Sequence, residues 1–261
     1  MLAILLHSSK TMRPPSAKFT SYQKPALLEQ AIELADYLTT LNPKQLQTAM
    51  QLSPAMAVKT HELLSTWSME QSLQRPAIDA FLGDIYSGLQ VQSFSQDDRN
   101  YANNHLFILS GLYGVLRALD SIHPYRLEMG YHLPDEPYKN LYKFWGDSIA
   151  KQIPNPSTII NLSAVEYTKA VLPHHKDSRV ITPKFMTISP KTGEPTFVTV
   201  HAKVARGAFA RWLIQNKIDD ESAITKFNNI GYKYDLSLST SEVPVFVCKE
   251  FKGIGLSVRL T

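Results

Sequence analysis

Cysteine is almost absent from this sequence, since Cys248 is the only one among its 261 residues. A single thiol excludes an intramolecular disulfide, and it excludes zinc and iron–sulfur sites that are built from several cysteines. The apolar run at the amino terminus, Leu2 to Leu6, has five residues, far fewer than the roughly 20 that span a membrane. We therefore predict a cytoplasmic protein with no membrane partner, and a strand over residues 2–6 that is buried in the centre of a sheet.

Familiar nucleotide and hydrolase motifs are missing as well. The sequence contains no G-x-x-x-x-G-K-[ST], no G-x-G-x-x-G, no H-E-x-x-H and no G-x-S-x-G. P-loop, Rossmann, zinc-protease and serine-hydrolase interpretations therefore have no support. The histidines show no zinc spacing, and we expect neither a metal nor a cofactor.

Composition and charge favour one folded domain with a basic second half. Hydrophobic residues make up 44% and charged residues 19%, and helical and strand patterns mix without a repeat or a linker. We predict a single α/β (mixed α+β) domain over residues 1–261 with a mixed central sheet. Residues 1–130 hold 10 Lys and Arg against 11 Asp and Glu, whereas residues 131–261 hold 17 against 12, a net charge of +5. That excess is either a solvated surface or an electropositive groove.

Local signals predict several elements. Asn42-Pro43 and Ser53-Pro54 each combine an N-cap with proline at the first helical position, which predicts two helices. Ser95 opens a capping box, which predicts a helix to about residue 107, and a second box over residues 163–166 makes Glu166 a capping residue. Further helices are predicted over 27–38, 138–153 and 202–216. Strands are predicted over 81–88, 158–162, 231–236 and 243–249, with two more within 179–200.

The densest motif spans residues 109–130. Gly111 and Gly114 allow a tight turn, and a short helix predicted to begin near Gly114 could hold a phosphate on its free N–H groups. Arg117 and Arg126 would add donors. The glycine pair also resembles a helix-hairpin-helix DNA-binding loop, although two residues rather than one separate the glycines. The structural alternative is a glycine turn with an internal salt network.

Three cations, Lys203, Arg206 and Arg211, lie in the predicted helix that follows His201. Lys203 and Arg206 are three residues apart and share a face. Cations near the start of a helix oppose its dipole. This face is therefore either solvated or engages an anion.

The long motifs resemble those of the YaaA peroxide-stress-resistance family. They are SGLYGVLR at 110–117, PYRLEMG at 124–130 and LYKFWGD at 141–147. Shorter matches lie at 160–162, 166–167, 202–203, 205–207, 227 and 231–232, so the resemblance runs from about residue 2 to residue 248. It implies a bacterial, cytosolic protein that resists hydrogen peroxide by limiting oxidative damage linked to free intracellular iron. It further implies a compact single-domain fold with a positively charged cleft, a helix-hairpin-helix-like element and binding to double-stranded DNA.

A few positions depart from the usual pattern of that family. His7 to Ser9 stand where the family usually reads Ser-Pro-Ala/Ser, while Lys10 and Thr11 are retained. Leu82 replaces a usual lysine and Ala118 a usual proline. An arginine usual near the carboxyl terminus is replaced around Cys248. The cations missing at 82 and near 248 lower the positive charge expected of the cleft.

Different classes of function remain open. Binding to DNA or another polyanion would use cations and backbone amides, and the net charge of +5 in the second half favours it. Its candidate residues are Lys10, Thr11, Gly111, Gly114, Arg117, Arg126, Lys203, Arg206 and Arg211. We hypothesise that Lys10, Arg126, Lys203 and Arg206 converge on one anion-binding surface.

An enzyme acting on an anionic small molecule or nucleotide is the alternative. Carboxylates mixed with cations suit transfer or ligation chemistry, and a pure phosphate binder has little use for them. The candidate catalytic residues are Glu128, Asp147, Glu166 and Tyr167. Direct iron sequestration is a third class, which the absence of a Glu-x-x-His pattern disfavours.

Overall fold

The computed structural model describes residues 1–16, 23–67 and 74–255. Its strands, in chain order, are β1 (Leu2–His7), β2 (Arg75–Pro76), β3 (Leu106–Ser110), β4 (Gly114–Arg117), β5 (Ser121–Ile122), β6 (Thr158–Asn161), β7 (Arg179–Ile181), β8 (Lys184–Ile188), β9 (Pro195–Thr196), β10 (Tyr232–Asp235) and β11 (Val245–Cys248). Its helices are α1 (Leu28–Thr40), α2 (Pro43–Met50), α3 (Pro54–Ser65), α4 (Ala77–Ala80), α5 (Asp84–Leu89), α6 (Gln96–His105), α7 (Leu141–Trp145), α8 (Val165–Thr168) and α9 (Thr199–Gln215). The mixed α/β class predicted from the sequence is confirmed.

The larger sheet has five strands in the order β4-β3-β1-β6-β7. β1 runs parallel to β3 on one side and to β6 on the other. Residues 2–6 are at most 1% exposed, as expected of an apolar strand that is covered on both faces. The prediction of a buried central strand is confirmed. Because β7 also runs parallel to β6, the carboxyl ends of four parallel strands meet at one edge of the sheet.

The smaller sheet has the order β10-β11-β8-β9 and mixes parallel and antiparallel pairs. β7 of the larger sheet is separated from β8 of the smaller one by residues 182–183 only. Helix α9 packs against β8 and, more extensively, against α5. Among the residues described, no helix is long and apolar enough to cross a membrane.

Helix starts that rest on local capping are confirmed. Asn42 and Gln45 form a reciprocal capping box at the start of α2, and the Ser53 hydroxyl accepts from the backbone of α3. Ser95 and Asp98 form the box that opens α6. These signals need nothing beyond a few neighbouring residues.

The glycine pair at 111 and 114 joins two strands, so the helix predicted to begin near Gly114 is wrong. β3 and β4 pair antiparallel, with Ser110 opposite Gly114. Gly114 has a φ of +67°, a conformation that glycine adopts without strain. At this position the chain forms a β-hairpin instead of a helix-hairpin-helix loop, and it offers no helix N-terminus for a phosphate.

The helix predicted over 138–153 is also wrong, because only α7 and a short 3₁₀ turn at Ala150–Gln152 form there. Gly146 ends α7 with a φ of +51°. Trp145 is nevertheless buried, as predicted, and its indole N–H donates to the carbonyl of Gly111 at 3.0 Å. The segment 81–88, predicted as a strand, contains helix α5.

The capping box predicted over 163–166 does not form. Ala164 is the N-cap of α8 and contributes no side-chain bond. The Ser163 hydroxyl lies 3.3 Å from His7 Nδ1 instead. Glu166 accepts from the backbone N–H of Gly130, so its carboxylate faces another part of the molecule and does not cap its own helix.

Candidate functional site

One cleft of about 550 Å³ lies beyond the carboxyl end of β1. Ligand sites in α/β sheets form at this edge, because loops there leave the ends of parallel strands. Separate segments of the chain line it: residues 7–11 at the end of β1, residues 82–86 at the start of α5, Glu128, residues 164, 166 and 167 at α8, and Lys203 of α9. The cleft thus collects residues from both halves of the sequence.

A chain of hydroxyl groups leads from the core to the cleft. Ser110 Oγ and Tyr125 Oη lie 2.6 Å apart. Tyr125 also forms a hydrogen bond with Ser8, and Ser8 Oγ lies 3.2 Å from Tyr167 Oη. Tyr167 donates to Glu128 Oε1 at 3.1 Å. All four hydroxyl-bearing residues are buried. The chain fixes the orientation of the Glu128 carboxylate.

Glu128 and Glu166 place two carboxylates together at this cleft. Glu128 Oε2 lies 3.7 Å from Lys10 Nζ, and the Glu128 side chain is only 14% exposed. Burial raises the pKa of Glu128; Lys10 and Tyr167 oppose the rise, and the negative charge of Glu166 adds to it. Gly130 donates to Glu166 Oε1 at 2.8 Å. A Cβ at Gly130 would lie 3.0 Å from that oxygen, so the absence of a side chain permits the close approach.

His7 is a neutral imidazole in the wall of the cleft. Burial, together with the positive charges of Arg206 and Lys203, lowers the pKa of His7 to about 3. The backbone N–H of Ala164 donates to Nδ1 at 3.1 Å, which assigns the ring proton to Nε2. The ring stacks on Tyr167 with centroids 5.0 Å apart. The Tyr86 hydroxyl donates to the His7 carbonyl at 2.9 Å.

Four predicted cations lie around this cleft. Lys10 and Lys203 line it. Arg126 Nη1 donates to the Lys10 carbonyl at 3.3 Å. Arg206 is close enough to lower the pKa of His7, and burial lowers the pKa of its own guanidinium. Arg126 thus lies beside Lys10, and Arg206 and Lys203 act on His7; that the four cations bind one anion stays a prediction.

Helix packing sets the position of Lys203 and Arg206. Gly88 of α5 and Gly207 of α9 face each other so closely that a Cβ on Gly88 would overlap the Val204 carbonyl. A Cβ on Gly207 would overlap the carbonyl of Ile85 in the same way. This contact brings α9 against α5 and holds the two cations beside the cleft.

Other predicted residues lie elsewhere. Arg117 donates to the Asn103 carbonyl at 2.6 Å and covers the Phe107 ring, because antiparallel β4 carries it to the opposite end of the sheet. Arg211 donates to Gln90 Oε1. Neither arginine lines the cleft. Gly111 and Gly114 belong to the β3–β4 hairpin, whereas Thr11 does line the cleft.

Asp147 is separate from the cleft too. It lies 2.9 Å from Lys151 on the surface, and this hydrogen bond lowers its pKa. It lines a larger cavity of about 800 Å³ formed by residues 147, 150–155 and 173–177. We favour the smaller cleft as the functional site, because its polar groups are partly buried and converge from distant segments.

Sequence reasoning missed His7, Ser8, Asp84 and Tyr86 as site residues. His7 and Ser8 lie two to three residues before Lys10 at the end of β1, and this position was the available signal. Asp84 and Tyr86 carried no signal, since their segment was predicted as a strand. Among the residues described, no group of three or more His, Cys, Asp or Glu side chains is placed to hold a metal ion.

Comparison with known proteins agrees with the motifs. The family model described as peroxide stress protein YaaA matches residues 1–238. The chain belongs to this family. It is 53% identical over 258 residues to a UPF0246 protein of Salinispora tropica, covering 99% of this chain and 98% of that protein.

More distant relatives match over most of their length as well. A UPF0246 protein of Cellvibrio japonicus is 37% identical over 238 residues, covering 88% of this chain and 91% of that protein. One of Teredinibacter turnerae is 38% identical over 244 residues, covering 90% and 93%. Membership of the YaaA family supports a role in peroxide stress.

Proposed function

We propose that the cleft of this YaaA-family chain binds a small anionic molecule, and that this binding serves the role in peroxide stress. The observation that carries the proposal is the convergence of Lys10, Glu128 and Lys203 around one cavity of about 550 Å³. That volume lies within the usual range of small-molecule sites, roughly 300–1,000 Å³. A cavity of this size accommodates a nucleotide-sized ligand better than a duplex.

The mixture of groups favours chemistry on that ligand. Glu128 is a largely buried carboxyl whose pKa is raised by burial, and a positioned carboxyl of this kind suits general acid–base chemistry. Tyr167 holds it in place, and Lys10 lies 3.7 Å away. We propose Glu128 as the acid–base residue of a transfer or ligation step, with Tyr167 and Lys10 as positioning residues.

Binding of double-stranded DNA is the second candidate function. Lys10 and Lys203 are exposed at the mouth of the cleft, and residues 131–261 carry a net charge of +5. A duplex laid across the mouth would contact these two lysines, with Arg126 and Arg206 behind them. Such binding would be independent of base sequence and strongly dependent on salt.

For either ligand, the protective role that the family resemblance implies is to limit oxidative damage linked to free intracellular iron. We propose that the cleft contributes to this protection through its bound ligand. A bacterium that lacks its own YaaA-family protein should survive hydrogen peroxide better with the wild-type chain than with Glu128→Gln.

The deciding experiment compares two double variants that remove the same charge. Lys203→Ala with Arg206→Ala alters the cleft, whereas Lys59→Ala with Lys191→Ala removes exposed cations of other regions. Binding of ADP is measured by calorimetry, and binding of a short duplex is measured at two salt concentrations. Circular dichroism checks that each variant is folded.

A small-molecule site predicts that the cleft variant loses ADP binding while its duplex affinity matches that of the control variant. A DNA-binding surface predicts weaker binding of all duplexes alike, with the slope of log K against log salt reduced by roughly one to two. If the cleft variant equals the control variant in both assays, both functions are assigned to the wrong surface.

A further inference from the structure

We infer that the ligand of this cleft is a small zwitterion, with an oxyanion group at one end and a protonated amine at the other. The inference rests on the proposed function, in which the cleft binds a small anionic molecule, and it names the class of that molecule. Its basis is that the charged residues of the cleft fall into two groups: Lys203 and Arg206 act electrostatically on His7, whereas Glu166 acts on Glu128. Asp84 also lines the cleft and is engaged in an interaction of its own.

The donor end consists of His7, Lys203 and Arg206. Lys203 and Arg206 are three residues apart on α9, and both act electrostatically on His7. No described carboxylate lies within 4.0 Å of either cation's charged group. Because Nδ1 of His7 accepts from Ala164, its remaining ring nitrogen is a donor. These three side chains are hydrogen-bond donors, and the group includes no acceptor, so it suits an oxyanion group of a ligand.

The carboxylate end consists of Glu128 and Glu166. Lys10 lies beside Glu128, and Arg126 also acts on Glu128 electrostatically. Glu166 accepts one backbone bond, through Oε1, and forms no ion pair with a described Lys or Arg. Its second oxygen is therefore available to a ligand. A cation placed there would relieve the repulsion between the two carboxylates.

Tyr167 separates the two ends. Its ring stacks on His7, and its hydroxyl donates to Glu128. A ligand that spans the cleft therefore meets donors on one side of this ring and acceptors on the other. At the carboxylate end Lys10 and Arg126 already offset the charge of Glu128, so a simple anion gains no contact with Glu166. An amine on the same molecule would form a charge-assisted hydrogen bond with Glu166.

The test uses two probes that differ by one ammonium group. Ethyl phosphate has the oxyanion alone, and O-phosphoethanolamine has the oxyanion together with the amine. Calorimetric titration of the full chain at constant ionic strength gives both affinities. We expect O-phosphoethanolamine to bind at least about tenfold more tightly, which is the effect of one charge-assisted bond.

Two substitutions of glutamate residues test where the amine of the ligand binds. Glu166→Gln should reduce the preference for O-phosphoethanolamine to less than about threefold and leave the affinity for ethyl phosphate within about twofold of wild type, because only the amine contact is lost. Glu194→Gln is the matched control, since Glu194 is an exposed residue of the β8–β9 turn. It should retain the full preference.

The outcomes separate this inference from the proposed function. If the wild-type chain binds both probes equally, or if Glu166→Gln retains the preference, the zwitterion inference is wrong while the anion site stands. If neither probe binds and ADP does not bind either, the proposed function fails and the inference fails with it. Equal losses of both probes in Glu166→Gln would mean that Glu166 supports the structure of the cleft and does not contact an amine.

Discussion

At the scale of single residues, the cleft is defined by groups whose surroundings change their ordinary chemistry. His7 is kept neutral by burial and by two neighbouring cations. Glu128 has a raised pKa because it is buried. Neither effect is visible in the sequence, where His7 is one polar residue after an apolar strand and Glu128 one of several carboxylates. Their roles depend on the neighbours that the fold supplies.

His7 should make stability fall in mild acid. The unfolded chain takes up a proton at His7 below pH 6.5, whereas the native chain stays unprotonated there until about pH 3. Its contribution is therefore complete above pH 6.5 and is lost, at about 1.4 kcal/mol per pH unit, as pH falls towards 3. Urea unfolding of wild type and His7→Asn at several pH values isolates this group, because asparagine still accepts from Ala164 but does not titrate. Parallel pH profiles would refute the prediction.

Cys248 should not act as a peroxide sensor, although the family is one of peroxide stress. Its side chain is fully buried, and burial raises the pKa of its thiol. The thiolate is the reactive form and is scarce in such a site. We expect an aromatic disulfide reagent to modify the native chain very slowly and the urea-unfolded chain rapidly.

The same prediction has a functional readout. Cys248→Ala should retain the full protection against hydrogen peroxide that the wild-type chain confers on a bacterium lacking its own family member. Rapid modification of the native thiol together with loss of protection in Cys248→Ala would show that Cys248 takes part in the response after all.

At the scale of elements, the sequence predicts those features that depend on a few neighbouring residues. The N-caps before α2, α3 and α6 are of this kind. Gly111 and Gly114 are different, because a glycine turn can precede a helix or join two strands. Here β4 pairs with β3 and forms a hairpin, and β3 pairs in turn with β1. Because β1 lies far from the glycine motif in the sequence, the motif alone does not predict the hairpin.

The contact of α5 with α9 should be intolerant of any added side chain. A Cβ on Gly207 would overlap the backbone carbonyl of Ile85, which cannot move without shifting a helix. We expect Gly207→Ala to lower the free energy of unfolding by about 1–3 kcal/mol, and to weaken ligand binding because Lys203 and Arg206 move with α9. Urea unfolding and calorimetry measure the two effects.

Gly193 provides the control for this substitution. It has a φ of +73°, and a Cβ there would meet nothing within 4 Å. Gly193→Ala should therefore lose only about 1 kcal/mol, from backbone strain, and leave ligand binding unchanged. If Gly207→Ala were no more destabilising than Gly193→Ala, the helices would have room that the structure does not give them.

At the scale of the whole molecule, strand direction decided which predicted cations reach the site. Lys10 follows the end of central β1, where the rule for parallel sheets places ligands. Arg117 follows β4, whose antiparallel direction carries it to the other end. Glu128 and Glu166 meet through a loop and a four-residue helix. No periodicity in the sequence predicts that these two carboxylates lie together. The residue types of the site could therefore be predicted from the sequence, but their arrangement in space could not.

A last prediction follows from how the two sheets are joined, and it tests the single domain expected from the sequence. β7 passes into β8 through two residues, α9 packs on both β8 and α5, and Tyr86 of α5 donates to the carbonyl of His7 at the end of β1. With such links, β1 of the larger sheet and β11 of the smaller should open only when the whole chain unfolds.

Hydrogen exchange should then give peptides from both strands opening free energies that agree within about 1 kcal/mol and fall with urea at the same slope. The turn at 189–193, whose hydrogen bonds lie within residues 189–194, should exchange faster than either strand and serves as the internal control. A lower free energy with a shallower slope in β11 would mean that the smaller sheet unfolds as a unit of its own, and Lys203 and Arg206 would then belong to a separable part of the molecule.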